Sequence, residues 1–112
     1  MITRYALFGG AIRDGHEDAF RADVLAEMVP TWQDFPGALD VRVCFAERRD
    51  DGAPEYPLIL AIDYADLAAV DTFMASPKRM ASRAATEAVL ARHFDGKVHH
   101  HVTTAHSFAP VG

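Results

Sequence analysis

The most constraining feature of this sequence is a buried strand that leads into a helix which is broken and restarted. The segment Pro57–Tyr64 is almost entirely apolar and has the length and Leu/Ile content of a strand covered on both faces. Asp66 is a favourable N-cap for a helix over Leu67–Ala75, where apolar residues recur every three or four positions. Ser76 caps a second helix, and Pro77 takes its first position, where a missing N–H costs nothing. This order of elements favours one particular fold.

The other segments complete a regular order of strands and helices. The remaining predicted elements are strands at Ile2–Ile12, Ala38–Arg48 and Lys97–Ala105 and helices at His16–Trp32 and Lys78–Phe94. Gly9-Gly10 should mark a bulge or a close approach of another group, and Pro30 should kink or end its helix. Asp95-Gly96 is interpreted as the stop of the last helix. The order β-α-β-β-α-β predicts an α+β, ferredoxin-like fold, a four-stranded antiparallel sheet with both helices on one face.

The same pattern predicts a homodimer. Two helices cover only one face of four strands, yet the strands carry apolar residues at both parities, such as Leu7 with Phe8 and Leu58 with Ile59. A monomer would expose the uncovered apolar face, so we expect a second copy to close it into a β-barrel with two-fold symmetry. The chain of 112 residues is expected to form one domain over residues 1–108, with a loose tail at 109–112.

Composition and charge limit the kinds of partner and the cellular location that we expect. The formal net charge is −5 and no long cluster of Lys and Arg occurs, which disfavours nucleic acid and anionic membranes as partners. No apolar run approaches the length of a membrane span, and the only cysteine is Cys44, so we expect a cytoplasmic protein. Gly9-Gly10 lacks the spacing of a phosphate-binding loop, and we expect no cofactor.

The chain resembles the stress-responsive dimeric α/β-barrel proteins. The resemblance is carried by PLILAIDYADLAAVDTFMASPKR, with its acidic turn, Phe73 and Ser76-Pro77, and by the strands RYALF and Asp95-Gly96-Lys97-Val98. It implies a protomer whose sheet packs face to face with a second protomer. It also implies a small-molecule pocket, either between each sheet and its helices or within the barrel.

The wider superfamily contains cofactor-free monooxygenases, muconolactone isomerase, haem-degrading enzymes and plant polyketide cyclases, so the fold does not fix the reaction. In the cyclases, the resemblance implies a catalytic Tyr and His around the helix break and a pocket His on the first strand. The matching positions here are Phe73, Arg79 and Tyr5. Because the hydroxyl and both imidazoles are missing at these positions, cyclase chemistry is not inherited unchanged.

The run His99-His100-His101 is the strongest local signal for chemistry. On a strand, His99 and His101 point to one side and His100 to the other. If Val98 and Val102 face the helices, His99 and His101 line the barrel side. Imidazole can act as a general base near neutral pH or bind a metal, whereas a structural alternative is hydrogen bonding at the dimer seam. The sequence leaves these alternatives open.

Arg42 is the second candidate for chemistry. It can clamp an oxyanion, or instead pair with Asp40, Asp63 or a carboxylate of the partner. Arg42, His99 and His101 form the predicted catalytic set. No residue is predicted to be a metal ligand. The predicted pocket comprises Tyr5, Leu7, Trp32, Tyr64, Phe73, Arg79 and His100.

Three functions are compatible with these residues. The first is a cofactor-independent enzyme, resembling the monooxygenases, isomerases or cyclases, that acts on an aromatic or polyketide-like compound in an apolar pocket. The second is a non-catalytic, stress-related module that binds an apolar small molecule. The third is a haem- or metal-binding protein.

Overall fold

The structure, a computed structural model, describes residues Met1–Gly112 and contains one four-stranded sheet. Its strands are β1 (Ile2–Ile12), β2 (Asp40–Phe45), β3 (Leu58–Tyr64) and β4 (Phe94–Thr104). They are ordered β2-β3-β1-β4, and every neighbouring pair is antiparallel. The predicted α+β, ferredoxin-like fold is therefore confirmed.

The helix between β1 and β2 changes its hydrogen-bonding pattern midway. It consists of α1 (Glu17–Asp23), a π-helical stretch at Val24–Met28 and α2 (Val29–Gln33). Val29 donates its N–H to the carbonyl of Val24, one residue further back than in an α-helix. The wider turn precedes Pro30, whose ring would clash with the carbonyl of an ordinary α-helical turn. Pro30 therefore coincides with a distortion, and the helix continues beyond it.

The broken helix after β3 forms as the capping residues predicted. Its two parts are α3 (Leu67–Met74) and α4 (Pro77–His93). The carboxylate of Asp66 accepts the N–H of Ala69 at 2.8 Å, and the hydroxyl of Ser76 accepts the N–H of Lys78 at 3.2 Å. None of the helices combines the length and the apolar content needed to cross a membrane.

A polar cluster joins α4 to the first helical segment. The Nε2 atom of His93 lies 2.7 Å from the carboxylate of Asp23, and its Nδ1 atom lies 3.0 Å from Nδ1 of His16. Arg92 donates to Glu27 and to Asp23. These contacts hold the C-terminal end of α4, which is the end away from the helix break, against the first helical segment.

Side chains alternate between two faces of the sheet. The inner face, covered by the helices, contributes Ala6, Phe8, Leu58, Leu60, Ile62 and Tyr64 to a core completed by Phe20, Val24, Met28, Trp32, Phe35, Val70, Phe73, Val89 and Phe94. The outer face has no layer over it in one protomer. It carries Thr3, Tyr5 and Leu7 of β1, Asp40, Arg42 and Cys44 of β2, Ile59, Ala61 and Asp63 of β3, and His99, His101 and Thr103 of β4.

Two strands differ from the prediction by more than one residue at an end. The final strand starts at Phe94 rather than at Lys97, because Asp95 and Gly96 pair with Ala11 and Gly10 of β1 instead of ending the helix. β2 is shorter than predicted because it is an edge strand whose single partner, β3, is only seven residues long.

The close approach predicted at Gly9-Gly10 occurs where β1 meets β4. A methyl group at Gly96 would overlap the carbonyl oxygen of Gly9 and the Cα atom of Gly10, and one at Gly10 would overlap the carbonyl oxygen of Asp95. Both Gly10 and Gly96 therefore lack side chains because the two backbones come too near for them.

We expect Gly96→Ala to lower the free energy of unfolding by about 3 kcal/mol or more, since backbone atoms cannot move aside as a flexible side chain can. Gly15→Ala is the control, because Gly15 has φ +79° but open space around it. That change should cost only about 1 kcal/mol, the strain of a left-handed residue. Equal losses in urea denaturation would contradict the close approach at Gly96.

Candidate functional site

A cavity of about 320 Å³ lies between the inner face of the sheet and the helices. β1, β3 and β4 form its floor, while α2, the residue Phe35, α3 and the face of α4 between Arg79 and Leu90 form its walls. The lining residues are Arg4, Ala6, Phe8, Trp32, Phe35, Leu60, Phe73, Arg79, Ser82, Arg83, Thr86, Glu87, Leu90, Val98 and His100. This mixture of apolar walls and a few charged or titratable groups is typical of a small-molecule site.

His100 enters the cavity from β4. It pairs with Ala6 of β1, and alternation places it on the inner face with Val98 and Val102. Partial desolvation in the cavity, followed by the positive charges of Arg4 and Arg79, lowers the pKa of His100 from 6.5 to about 4. Its residue surface remains largely open to solvent at the mouth of the cavity. At neutral pH the imidazole is therefore uncharged and can accept a proton.

Arg4 forms the positively charged part of the floor. It is half-buried, and its guanidinium carbon lies 5.2 Å from the ring centroid of Phe73. Burial is the main cause that lowers the pKa of Arg4, and the charge of Arg79 lowers it further. Among the ion pairs of this structure, none includes Arg4 or Arg79. The cavity thus holds two positive charges without a carboxylate opposite either of them.

Aromatic rings line the wall opposite His100. The rings of Phe35 and Phe73 are 4.2 Å apart, and Trp32 is only 2% exposed. Tyr64 packs behind Phe73 at 6.0 Å and does not line the cavity itself. Its hydroxyl is the one buried side-chain polar atom without a hydrogen-bond partner, and burial raises the pKa of Tyr64 to about 12. The aromatic residues therefore give the cavity an apolar wall next to the two arginines.

The structure separates the predicted site residues into two groups. Trp32, Phe73, Arg79 and His100 line the inner cavity together. The predicted catalytic residues His99, His101 and Arg42 lie on the outer face, as do the predicted pocket residues Tyr5 and Leu7. Leu7 pairs with His99 and Tyr5 pairs with His101 across the β1–β4 ladder.

Arg42 pairs with carboxylates of its own sheet, which was the structural alternative to a role in binding an oxyanion. Its guanidinium donates to Asp63 at 2.6 Å and to Asp40 at 2.9 Å. Asp63 also accepts the hydroxyl of Thr3 at 2.7 Å. Hydrogen bonds from Arg42 are the main cause that lowers the pKa of Asp63 and keeps it charged. Because two carboxylates already compensate Arg42, it is poorly suited to hold a further anion within one protomer.

Arg4 was not among the sequence candidates. Arg4 has the same strand parity as Ala6 and Phe8. A charged residue at that parity is unusual because the neighbouring strand, β3, is buried, and this was the signal in the sequence. Tyr5 is predicted to line the pocket because it matches the position of a pocket His in the cyclases, and Leu7 has the same strand parity. Their parity places them on the outer face.

A second groove, about 560 Å³ in volume, lies where Arg21 of α1 meets the connection between β2 and β3. The pairs Arg21–Glu47 and Arg49–Glu55 compensate four of its six charged side chains, and Glu17 and Arg48 are in no ion pair. None of the sequence-predicted site residues lines it. No group of three or more His, Cys, Asp or Glu side chains is placed to hold a metal ion. The inner cavity is therefore the better candidate site.

Comparison with known proteins supports the fold. No family model matches the sequence, and no curated protein matches it. An ethyl tert-butyl ether d (EthD) family protein from Bacillus halodurans has a TM-score of 0.69 at 15% identity, with 95% of this chain and 99% of that chain covered. SnoaB, a cofactor-independent oxygenase from Streptomyces nogalater, has a TM-score of 0.62 at 18% identity, with 98% of this chain and 97% of that chain covered.

A dimeric protein of unknown function with a ferredoxin-like fold, from Bacteroides fragilis, has a TM-score of 0.60 at 13% identity. The match covers 91% of this chain and 93% of that chain. The narrower resemblance to the stress-responsive group stays a prediction. By fold, this chain is an α+β protein of the ferredoxin-like kind, similar over nearly its whole length to these three solved structures.

Proposed function

We propose that two copies of this chain pack through their outer faces. Tyr5, Leu7 and Ile59 are only half-buried there in one protomer, and no helix covers them. Their burial against a second copy would remove apolar surface from water. The Bacteroides fragilis protein is described as dimeric, which adds support from the fold.

We expect the purified protein to scatter light as a particle of twice 12.3 kDa, and Leu7→Lys to reduce it to one chain. The lysine would place an unpaired charge in the apolar contact, where desolvation is costly. Leu67→Lys is the matched control, because Leu67 is 58% exposed on α3, away from the outer face. A wild-type protein of one chain, or a Leu7→Lys protein that still dimerises, would contradict this interface.

For the cavity, we propose a cofactor-independent enzyme that acts on an aromatic or polyketide-like compound. The observation that carries the proposal is a neutral His100 flanked by Arg4 and Arg79 inside an aromatic-walled cavity. A neutral imidazole can take a proton from an acidic carbon or a phenol, and nearby guanidinium groups stabilise the resulting enolate or phenolate. As that anion forms, it offsets the repulsion that disfavours charge on His100, so proton acceptance becomes easier.

Oxygen chemistry is the form of this reaction favoured by the structural similarity to SnoaB, a cofactor-independent oxygenase. On a substrate such as anthrone, His100 would accept a proton from the methylene carbon. The carbanion would then supply electrons to O2. The methylene carbon becomes a carbonyl with one oxygen atom, and water leaves with the second oxygen atom and two hydrogens.

The test is oxygen consumption with anthrone as the substrate. We expect wild-type protein to accelerate its oxidation and His100→Gln to lower kcat by about 100-fold, the usual contribution of a positioned base. His99→Gln is the matched control, because His99 neighbours His100 in sequence but lies on the outer face. Retention of full activity by His100→Gln would contradict the role of this imidazole.

The same variants test the predicted set of His99, His101 and Arg42. In a dimer these residues would face the interior of the barrel, and chemistry there would be lost in His99→Gln or His101→Gln rather than in His100→Gln. The stress-related binding module is the alternative without chemistry. It would bind aromatic compounds in the cavity with no consumption of oxygen by any of these proteins.

A further inference from the structure

We infer that the compound bound in the inner cavity carries a permanent negative charge, a carboxylate on or beside an aromatic ring, held by Arg4 and Arg79. The inference rests on the proposed function of this cavity and names the class of compound it takes. The reason is that most arginines of the chain are paired with a carboxylate, whereas Arg4 and Arg79 are not.

Most arginines of the chain already face a carboxylate. Within the cavity lining, Arg83 donates to Glu87 at 3.0 Å, which accounts for the one acidic side chain of the lining. Arg4 and Arg79 are left without an acidic partner, as is Arg48, which lines the other groove. Two of the three uncompensated arginines of a protein with net charge −5 therefore line one cavity.

A neutral compound, such as anthrone before it loses a proton, would bind this cavity less tightly than a compound that carries a carboxylate. By covering the floor it would remove water from Arg4, which is already half-buried and has its pKa lowered by that burial. The desolvation of a charge is unfavourable unless an opposite charge or hydrogen-bond acceptors replace the water. His100 carries no negative charge in either protonation state, so it cannot replace an anion beside Arg4. A ligand carboxylate supplies both the charge and the acceptors.

The other residues that line the cavity favour a particular shape for the part of the compound next to its carboxylate. Guanidinium groups bind planar carboxylates through two parallel hydrogen bonds. The rings of Trp32, Phe35 and Phe73 provide an apolar wall, and Arg4 already lies over the ring of Phe73. An aromatic carboxylate places its ring against this wall and its charge at the arginines. That combination distinguishes it from inorganic phosphate, which has no apolar part.

The test compares 4-nitrobenzoate with 4-nitrobenzamide, which has nearly the same shape but no charge. Calorimetry gives the affinity, and the fluorescence of Trp32, the only tryptophan, reports the location because it lines the cavity and a nitro group quenches it. We expect the carboxylate to bind at least ten-fold more tightly than the amide at pH 7, since hydrogen bonds between charged groups contribute more than neutral ones.

Three variants locate the charge recognition. Arg4→Met and Arg79→Met should each weaken 4-nitrobenzoate by about ten-fold or more and leave 4-nitrobenzamide unchanged. Methionine keeps most of the apolar stem, and Arg79 is exposed at the rim, so its replacement does not threaten the fold. Arg48→Met is the matched control and should change neither affinity.

The outcomes separate this inference from the proposed function. If both compounds quench Trp32 equally and Arg79→Met has no effect, the carboxylate class is wrong while an aromatic-binding cavity remains. If neither compound quenches Trp32, and anthrone oxidation is also absent, the carboxylate class and the proposed function both fail. If inorganic phosphate competes as strongly as 4-nitrobenzoate at the same concentration, the site recognises charge alone, and the aromatic part of the inference is overturned.

Discussion

The site depends on one geometric constraint, the alternation of side chains along β1 and β4. Successive residues of a strand point to opposite faces, and the helices cover only one face of this sheet. Arg4 and His100 therefore enter the cavity, whereas Tyr5, His99 and His101 do not. A shift of one residue in the β1–β4 pairing would exchange the two sets. The crossing of Gly10 and Gly96 holds that pairing, because the backbones approach too closely there for any other residue.

Electrostatics give the two faces different characters. On the outer face, Arg42 is compensated by Asp40 and Asp63, and this cluster stabilises the edge of the sheet without leaving charge for a ligand. On the inner face, Arg4 and its neighbour at the rim, Arg79, have no carboxylate partner. An arginine left without an acidic partner inside a cavity is a better indication of a binding site than one that is paired, since burial without compensation costs stability.

Much of the fold could be predicted from the sequence because it is encoded locally. The caps Asp66 and Ser76, the position of Pro77 and the apolar segment before them act within a few residues, and the structure has each element near its predicted bounds. Asp95-Gly96 was misinterpreted because a glycine after a helix is usually a stop signal, whereas here the residue is needed for contact with a strand more than 80 positions away. Long-range constraints of that kind leave no local pattern.

The candidate site was predictable only in part. The histidine run and the helix break drew attention to His100, Phe73 and Arg79, which do line the cavity. Which histidine faced the helices depended on the register between β1 and β4, and a run of three histidines fits either register equally well. Arg4 was missed because the charge of a residue on a strand does not reveal whether a carboxylate will lie opposite it.

The most direct test of this account is the titration of His100 by NMR, with its ring resonances assigned through the His100→Gln variant. We expect His100 to titrate with a pKa of about 4, because partial burial and the charges of Arg4 and Arg79 all disfavour its charged form. A midpoint at or above the ordinary value of 6.5 would contradict the central claim. In that case neither partial burial nor the charges of Arg4 and Arg79 would disfavour the charged form of His100.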